Sequence, residues 1–520
     1  MPTIRHRRIV PTLVAPVLLV SVLVVSACTG GTTPSASGNP DGTSLVIAVA
    51  EEPAELDPLG GYAQHGAAKI FDGLVEHDAD LSLRPALAAT LPQPSADGRM
   101  WTVKLRPGVT FSDGTPFEAQ DVVATYRALL DPARRSPVRQ RFTMLKSVRA
   151  IDPSTVEFTL TAPYAPFPEL LVLGILPSES LTGPRPAEPI GTGPYRLADW
   201  QRGSRMVLEA NENYYDGAPA IKKVTVEFIP DDKTRADRMR EGKLDGAALP
   251  PALAREFAST DGLQVVAHSA ADVRAVVLPS DDPVTGDPAV RTALNDAVDR
   301  QAAVDKVLAG QGSVAYTPMP GVLAEFVEAG ASYEHDLTRA LDLLESSGWR
   351  TGPAGIRTRG GRAAQFTLRY PAGDSVSAGL AGDFATNARS IGVQVDLEPV
   401  TGAELTGPTV VSFGDPFDPD LSLFAMLRSG GPEALGGYAN ETVDSALDTG
   451  RSATDPAQRA AAYRRLQRAY VTEPGMVVLA APSHTYVMRD SWDGYTPVVD
   501  AGSADLTWGA WWNLEKWTPR

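Results

Sequence analysis

Cysteine is almost missing from this chain of 520 residues: Cys28 is the only one. No intramolecular disulfide can stabilise the body that follows it, and no second thiol is on hand for nucleophilic or metal chemistry. Histidine is sparse as well, six in all. None of them forms an HExxH motif or a closely spaced pair suited to zinc. Outside one stretch near the N-terminus, no apolar run is long enough to span a bilayer. Lysine is scarce beside arginine, 9 against 38, and acidic residues outnumber basic ones 63 to 47, for a formal net charge of −16. A chain this acidic is a poor binder of nucleic acid.

The usual catalytic signatures are also missing. The nearest approach to a nucleophile elbow is Gly373-Asp374-Ser375-Val376-Ser377, which lacks the closing glycine that the sharp strand-to-helix turn requires and reads as a helix-start loop. Glycines are plentiful, yet no P-loop lysine-serine pair and no GxGxxG after a strand is present. A glycosidase-like pair of carboxylates is assembled only by folding, so that chemistry stays open at this level. No enzyme activity, cofactor or metal site is expected.

What is there begins at the lone cysteine. Arg5, Arg7 and Arg8 make a basic n-region, Ile9 to Val25 an apolar core, and Val25-Ser26-Ala27-Cys28 a small-residue site ending in the thiol. This resembles a lipobox, in which residues 1–27 are a signal peptide, Cys28 is acylated, and the cleaved chain starts there. The alternative is an uncleaved anchor. It would need about 20 apolar residues and a basic stop-transfer flank, and the run from Thr29 to Ser44 has no such flank. That run is rich in Gly, Ser, Thr, Pro and Asn, the composition of a flexible tether over 28–44. Removing residues 1–27 takes three arginines and moves the net charge to −19.

The body is long enough for two or more domains and a large core. Leu45 to Ala50 alternates as a strand, as do Trp101-Val103-Leu105, Val156-Phe158-Leu160, Val224-Val226-Phe228 and Val393-Val395-Leu397. Between them, Ala119, Val122, Val123, Tyr126, Leu129 and Leu130 share one face of a helix. The spacing from Val290 to Leu308 repeats that pattern. Asp336 and Asp455 stand as N-caps, the latter followed by Pro456 at the first helical position. Strands and helices mixed without a short repeat predict α/β or α+β layering.

The order of the motifs carries a resemblance. Glu55-Leu56-Asp57-Pro58, Ile70-Phe71-Asp72-Gly73-Leu74-Val75, Leu83-Arg84-Pro85-Ala86-Leu87-Ala88, the stretch WTVKLRPGVTFSDGTPFEAQDVVATY from Trp101 to Tyr126, Gly191-Thr192-Gly193-Pro194-Tyr195 and Asn211-Glu212-Asn213-Tyr214-Tyr215 follow one another. From about Leu45 to the C-terminus the chain resembles the family 5 extracellular solute-binding proteins of ABC importers, the group that includes dipeptide, oligopeptide and nickel receptors. The resemblance implies a two-lobed periplasmic-binding-protein-like α/β fold (class II, cluster C). Lobe one is expected over 45–270 and 485–520 with an inserted subdomain over 63–187, and lobe two over 271–484. It also implies a monomeric receptor at the extracytoplasmic face of the membrane, anchored through Cys28. Such a receptor would capture peptides, most simply oligopeptides, between its lobes and pass them to permease subunits driven by cytoplasmic ATPases. A same-fold receptor for a nickel chelate, a haem-like cofactor or an oligosaccharide is the alternative, and a secreted lipoprotein hydrolase the more distant one.

Turn chemistry explains most of these motifs without function: Arg106-Pro107-Gly108 and Ser112-Asp113-Gly114 join a strand to a helix, and Gly191 to Pro194 suits a close approach of two backbones. Ligand chemistry is expected at Phe413-Gly414-Asp415-Pro416-Phe417-Asp418-Pro419-Asp420. By the resemblance, Asp415 pairs with the α-ammonium group of a bound peptide, since a buried carboxylate requires a paired cation. The other reading makes Asp415, Asp418 and Asp420 turn and capping residues. Phe413, Tyr62 and Gln64 are further candidate contacts. Peptide-binding relatives carry Gly-Trp shortly before the anchor, where this chain has Val411-Ser412-Phe413, a change that alters the wall of the first side-chain pocket. No arginine stands between Ser375 and Asp383 to receive the carboxylate of a dipeptide, which favours a longer or different ligand. His65 has no second histidine nearby in sequence, and the tryptophans at 508, 511, 512 and 517 are expected to be packing residues. Mass spectrometry of the native protein should find a chain that starts at an acylated Cys28; a free thiol there, or an intact Met1, would refute the lipoprotein expectation.

Overall fold

A computed structural model describes residues 42–182, 188–401, 407–431, 434–501 and 506–520. Cys28 and nearly all of the tether lie outside the described residues. The strand Ser44–Val49 opens the fold with Leu45, Ile47 and Val49 buried, and Ala48 on its other face is buried too. Burial on both faces suits its place inside a sheet, where it runs parallel to both Lys223–Phe228 and Gly246–Ala248. That sheet has seven strands, in the order 263–268, 484–489, 246–248, 44–49, 223–228, 205–210 and 195–201. A second sheet of six strands follows the order 312–314, 476–482, 273–277, 409–413, 365–371 and 394–400. A four-stranded antiparallel sheet from residues 93–160 has its own core, built on Val103, Val156 and Phe158 with the helix Ala119–Leu130 against it.

The chain passes between the two large sheets twice. One passage lies between Leu263–His268 and Val273–Val277, the other at Ser483 between Met476–Pro482 and His484–Arg489. Both are short, so the groups they carry are held between the sheets. The fold is a mixed α/β architecture of two lobes, as expected. One helix expectation needs correction: the apolar spacing from Val290 to Leu308 does not make one continuous helix. Helices Pro288–Ala297 and Arg300–Lys306 are separated because Val298 takes an extended conformation and the Asp299 side chain caps the second helix at Ala302 N. The 3.6-residue pattern survived the break because both helices bury their apolar faces in one core.

Three of the sequence motifs converge at Asp72. Gly193 N donates to Ile70 O at 2.9 Å, and a Cβ at Gly191 would lie 2.1 Å from that same oxygen, so the close backbone approach requires glycine. Thr192 Oγ1 then donates to Asp72 Oδ2 at 2.9 Å, and Tyr214 OH reaches Oδ1 at 3.4 Å. Burial, reinforced by the charge of Glu76, pushes the Asp72 carboxyl up to about 8, and burial pushes Glu76 up to about 7. A raised carboxyl favours the folded state when protonated; its contribution is complete below 3.8 and is lost as pH rises through about 8. Asp72→Asn, which cannot ionise, should flatten the fall in thermal midpoint across that window. Equal slopes in parent and variant would show that Asp72 is not the group responsible.

Candidate functional site

A cavity of about 830 Å³ lies between the two large sheets, walled by residues from both. The six-stranded sheet supplies its floor through Thr409–Phe413, which ends at Gly414. Gly414 has φ +140, and a Cβ there would lie 1.7 Å from Ala271 O, so only glycine lets this strand end pack against the crossover. Asp415 follows, 3 % exposed. Its Oδ1 accepts from Phe417 N at 2.9 Å, while Oδ2 faces two side chains from across the cleft, His65 Nε2 at 3.5 Å and Arg141 at 3.7 Å. Burial acts to raise the Asp415 pKa, but His65, Arg141 and the Phe417 amide outweigh it and hold the carboxyl below its usual value.

Arg141 also donates to the Gln64 carbonyl at 3.3 Å and to Gln64 Oε1 at 3.4 Å. Its Nε is buried with no hydrogen-bond partner among the described residues, as is Ser422 Oγ on the opposite wall. Arg141 thus keeps one buried N–H without an acceptor among the described residues. Arg274 contrasts with it. Held bidentately by Asp272 at 2.8 and 2.9 Å, it also donates to Asp374 at 2.7 Å and Ser377 Oγ at 2.9 Å. Asp272 in turn faces His484 Nε2 at 3.3 Å, and His484 Nδ1 lies 3.0 Å from Asp500. Asp500 is also held by His268 at 2.6 Å and by the Tyr486 hydroxyl. Further contacts cross the cleft directly: Tyr164 OH donates to Asp420 at 2.8 Å, Ala165 N to Arg451 O at 3.1 Å, and Ser375 Oγ to Asp232 at 2.7 Å.

Residues 82–431 match the model of bacterial extracellular solute-binding proteins, family 5. The chain belongs to this family. Protein XP55 of Streptomyces lividans is 43% identical over 491 residues, covering 91% of this chain and 90% of its own. Among solved structures, NikZ from Campylobacter jejuni in complex with Ni(L-His) is 27% identical, covers 92% of this chain and 99% of its own, and superposes with a TM-score of 0.85. The oligopeptide-binding protein AppA from Bacillus subtilis, in complex with a nonapeptide, shares the fold at a TM-score of 0.81 with 24% identity, over 92% of this chain and 99% of its own. Family 5 proteins are substrate receptors that work with ABC permeases, at the periplasmic or extracytoplasmic side.

In this family 5 chain, Asp415, Phe413 and Gln64 all line the cavity. Tyr62 does not: it is 7 % exposed, packed in the core of the first lobe with its ring edge-on to Phe71. The left-handed Ala63 that follows it places Tyr62 inward while Gln64 and His65 reach the wall. Two features escaped sequence reading. His65 is one of the two side chains that face Asp415 from across the cleft, 350 residues away. An arginine does stand at the helix start, Arg274 on the strand Val273–Val277, but it is taken up there by Asp374 and Ser377. The tryptophans at 508, 511, 512 and 517 are buried and none lines the cavity.

Burial works to lower the His484 pKa, but Asp272 and Asp500 overcome it and raise the ring to about 9. A raised histidine contributes stability that is complete below 6.5 and is lost as pH rises through about 9. Denaturant unfolding across that interval should show the parent weakening with pH and His484→Gln losing part of that slope, most clearly above about 8 where Asp72 no longer contributes. A variant that keeps the full slope would assign the transition to another group.

Proposed function

We propose that this protein is a lipid-anchored receptor of an ABC importer that captures short peptides in the cavity between its lobes and presents them to the permease. Lobe one would comprise 45–270 and 485–520, with 63–187 inserted, and lobe two 271–484. The observation that carries this reading is Asp415, a buried carboxylate on the cavity wall whose facing side chains across the cleft, His65 and Arg141, stand no closer than 3.5 Å, leaving it suited to the ammonium group of a peptide. The His65 and Arg141 contacts to Asp415, at 3.5 and 3.7 Å, exceed the roughly 2.7–2.9 Å of a charge-assisted hydrogen bond. A ligand ammonium group can therefore compete for Asp415. A cavity of 830 Å³ falls within the roughly 300–1,000 Å³ of small-ligand sites, which suits a peptide of a few residues. Binding there involves no covalent step; transport energy would come from the partner ATPases.

The NikZ likeness favours a second reading, a metal chelate. Among the described residues no group of three or more His, Cys, Asp or Glu could hold a metal ion, so a metal would have to arrive with an organic chelator already bound. His65 and His484 on the wall could each add one nitrogen. Native mass spectrometry of protein extracted from its membrane, followed by denaturing release, separates the two. A ladder of peptides supports the first reading, and one metal-containing mass replaces it with the second. With peptides in hand, Asp415→Ala should erase the preference for a free over an acetylated N-terminus. If the variant discriminates as the parent does, Asp415 is not the ammonium anchor.

A further inference from the structure

Beyond the cavity, the loop that carries Asp415 makes a second approach to the first lobe. Phe417 lies face to face on His77, with ring centroids 3.4 Å apart and planes inclined 11°. It also meets Trp508 edge-on at 5.1 Å and 75°. His77 and Trp508 are themselves edge-on at 5.9 Å, so three rings close on one another. His77 ends the strand Val75–His77, and Trp508 packs with Val498, Ala501 and Trp512 in a small buried cluster that Phe417 completes. None of the three rings lines the cavity.

The socket is fixed before Phe417 enters it. Glu169 Oε2 holds His77 Nε2 at 2.6 Å, and the Val499 carbonyl accepts from Trp508 Nε1 at 2.8 Å, so neither ring is free to turn. Two of the non-glycine residues with positive φ, Ala67 at 49° and Leu81 at 69°, pack against the same cluster. Backbone strain of that kind persists where the surroundings impose it and gathers at functional positions. The plug is equally rigid. Asp415 accepts from Phe417 N, Asp418 is tied to Arg459 at 2.8 Å, and Pro416 and Pro419 restrict the turns on either side.

We infer that Phe417 is a closure latch: a ring from the second lobe whose seating against His77 and Trp508 in the first lobe sets the balance between open and closed forms. The inference rests on the reading that the lobes part to admit solute. Phe417 is a positioning residue, since it reaches the ligand only through lobe geometry. A contact made only in the closed form lowers the free energy of that form alone, and the affinity for every solute that requires closure rises by the same factor. Asp415 and Arg141 then choose the ligand, while Phe417 scales how tightly any chosen ligand is held.

The test is single-molecule energy transfer on the full-length protein in detergent, with fluorophores on cysteines placed at exposed Lys146 in the inserted sheet and exposed Ala461 in the helix Pro456–Thr472. Phe417→Ala should raise the ratio of open to closed molecules about tenfold, the upper range for one aromatic pair. Phe417→Tyr, which keeps the ring, should stay near the parent, with Phe417→Leu between them. Should Phe417→Ala lose cooperative unfolding, the order of the Tyr and Leu variants carries the test. A parent-like distribution in Phe417→Ala or Phe417→Leu overturns the inference, as does a shift in Phe417→Tyr as large as that in Phe417→Leu. The readout uses no ligand, so its outcome is separate from whether the solute proves to be a peptide.

Discussion

A charge removed from water must be met by another charge, and in this protein that requirement is concentrated where the chain crosses between the lobes. Asp272 and Asp500 are both fully buried, and a lone carboxylate in such a place would be strongly destabilising. They are compensated in series: His268 and His484 share Asp500, while His484 and Arg274 share Asp272. Arg274 then carries the chain of charges to Asp374 at the head of the helix Ser375–Ser390, whose third residue, Ser377, it also holds. Members of this series lie in or beside both crossovers and come from both large sheets. The relative placement of the lobes near the hinge is thus tied to satisfying the charges, and His484, Asp272, Arg274 and Asp374 bring that tie to the cavity wall.

Much of the fold was legible because it depends on local chemistry. The strand at Leu45, the helix from Ala119 and the caps Asp336 and Asp455 were fixed by alternation, by 3.6-residue spacing and by side chains that bond to the first free amides, and each stands where the pattern put it. The break at Val298 was harder to see, since two short helices burying adjacent faces in one core give the same apolar period as one long helix. Its only local mark is Asp299, whose side chain caps the second helix.

The site was less legible, for a physical reason. Asp415 could be picked out because its loop has a recognisable order of glycine, aspartate and proline, but its partners could not: His65 and Arg141 lie 350 and 274 positions earlier and meet it only across the cleft. Arg274 shows the same limit, as it faces a helix start 100 residues further on. Tyr62 fails differently. Its loop does reach the cavity, yet one left-handed residue, Ala63, divides an inward tyrosine from the outward Gln64 and His65, and no rule of side-chain spacing foresees such a turn at an alanine.

The loop from Gly414 to Asp420 brings the two tasks of a two-lobed receptor together in seven residues. Asp415 faces the cavity, the place proposed for matching a solute, and Phe417 faces an aromatic socket outside it, the place inferred to set how firmly the lobes meet. Asp418 and Asp420 tie the loop to Arg459 and Arg451 on its own lobe, and Asp420 also accepts from Tyr164 across the cleft. The proposed tasks of recognition and closure are thus adjacent in sequence but separate in chemistry: one rests on charge at the cavity wall, the other on ring packing away from it. Such a division allows members of one fold to bind unrelated solutes without rebuilding the closing motion, because the binding energy of any ligand adds to a contact that does not depend on its identity.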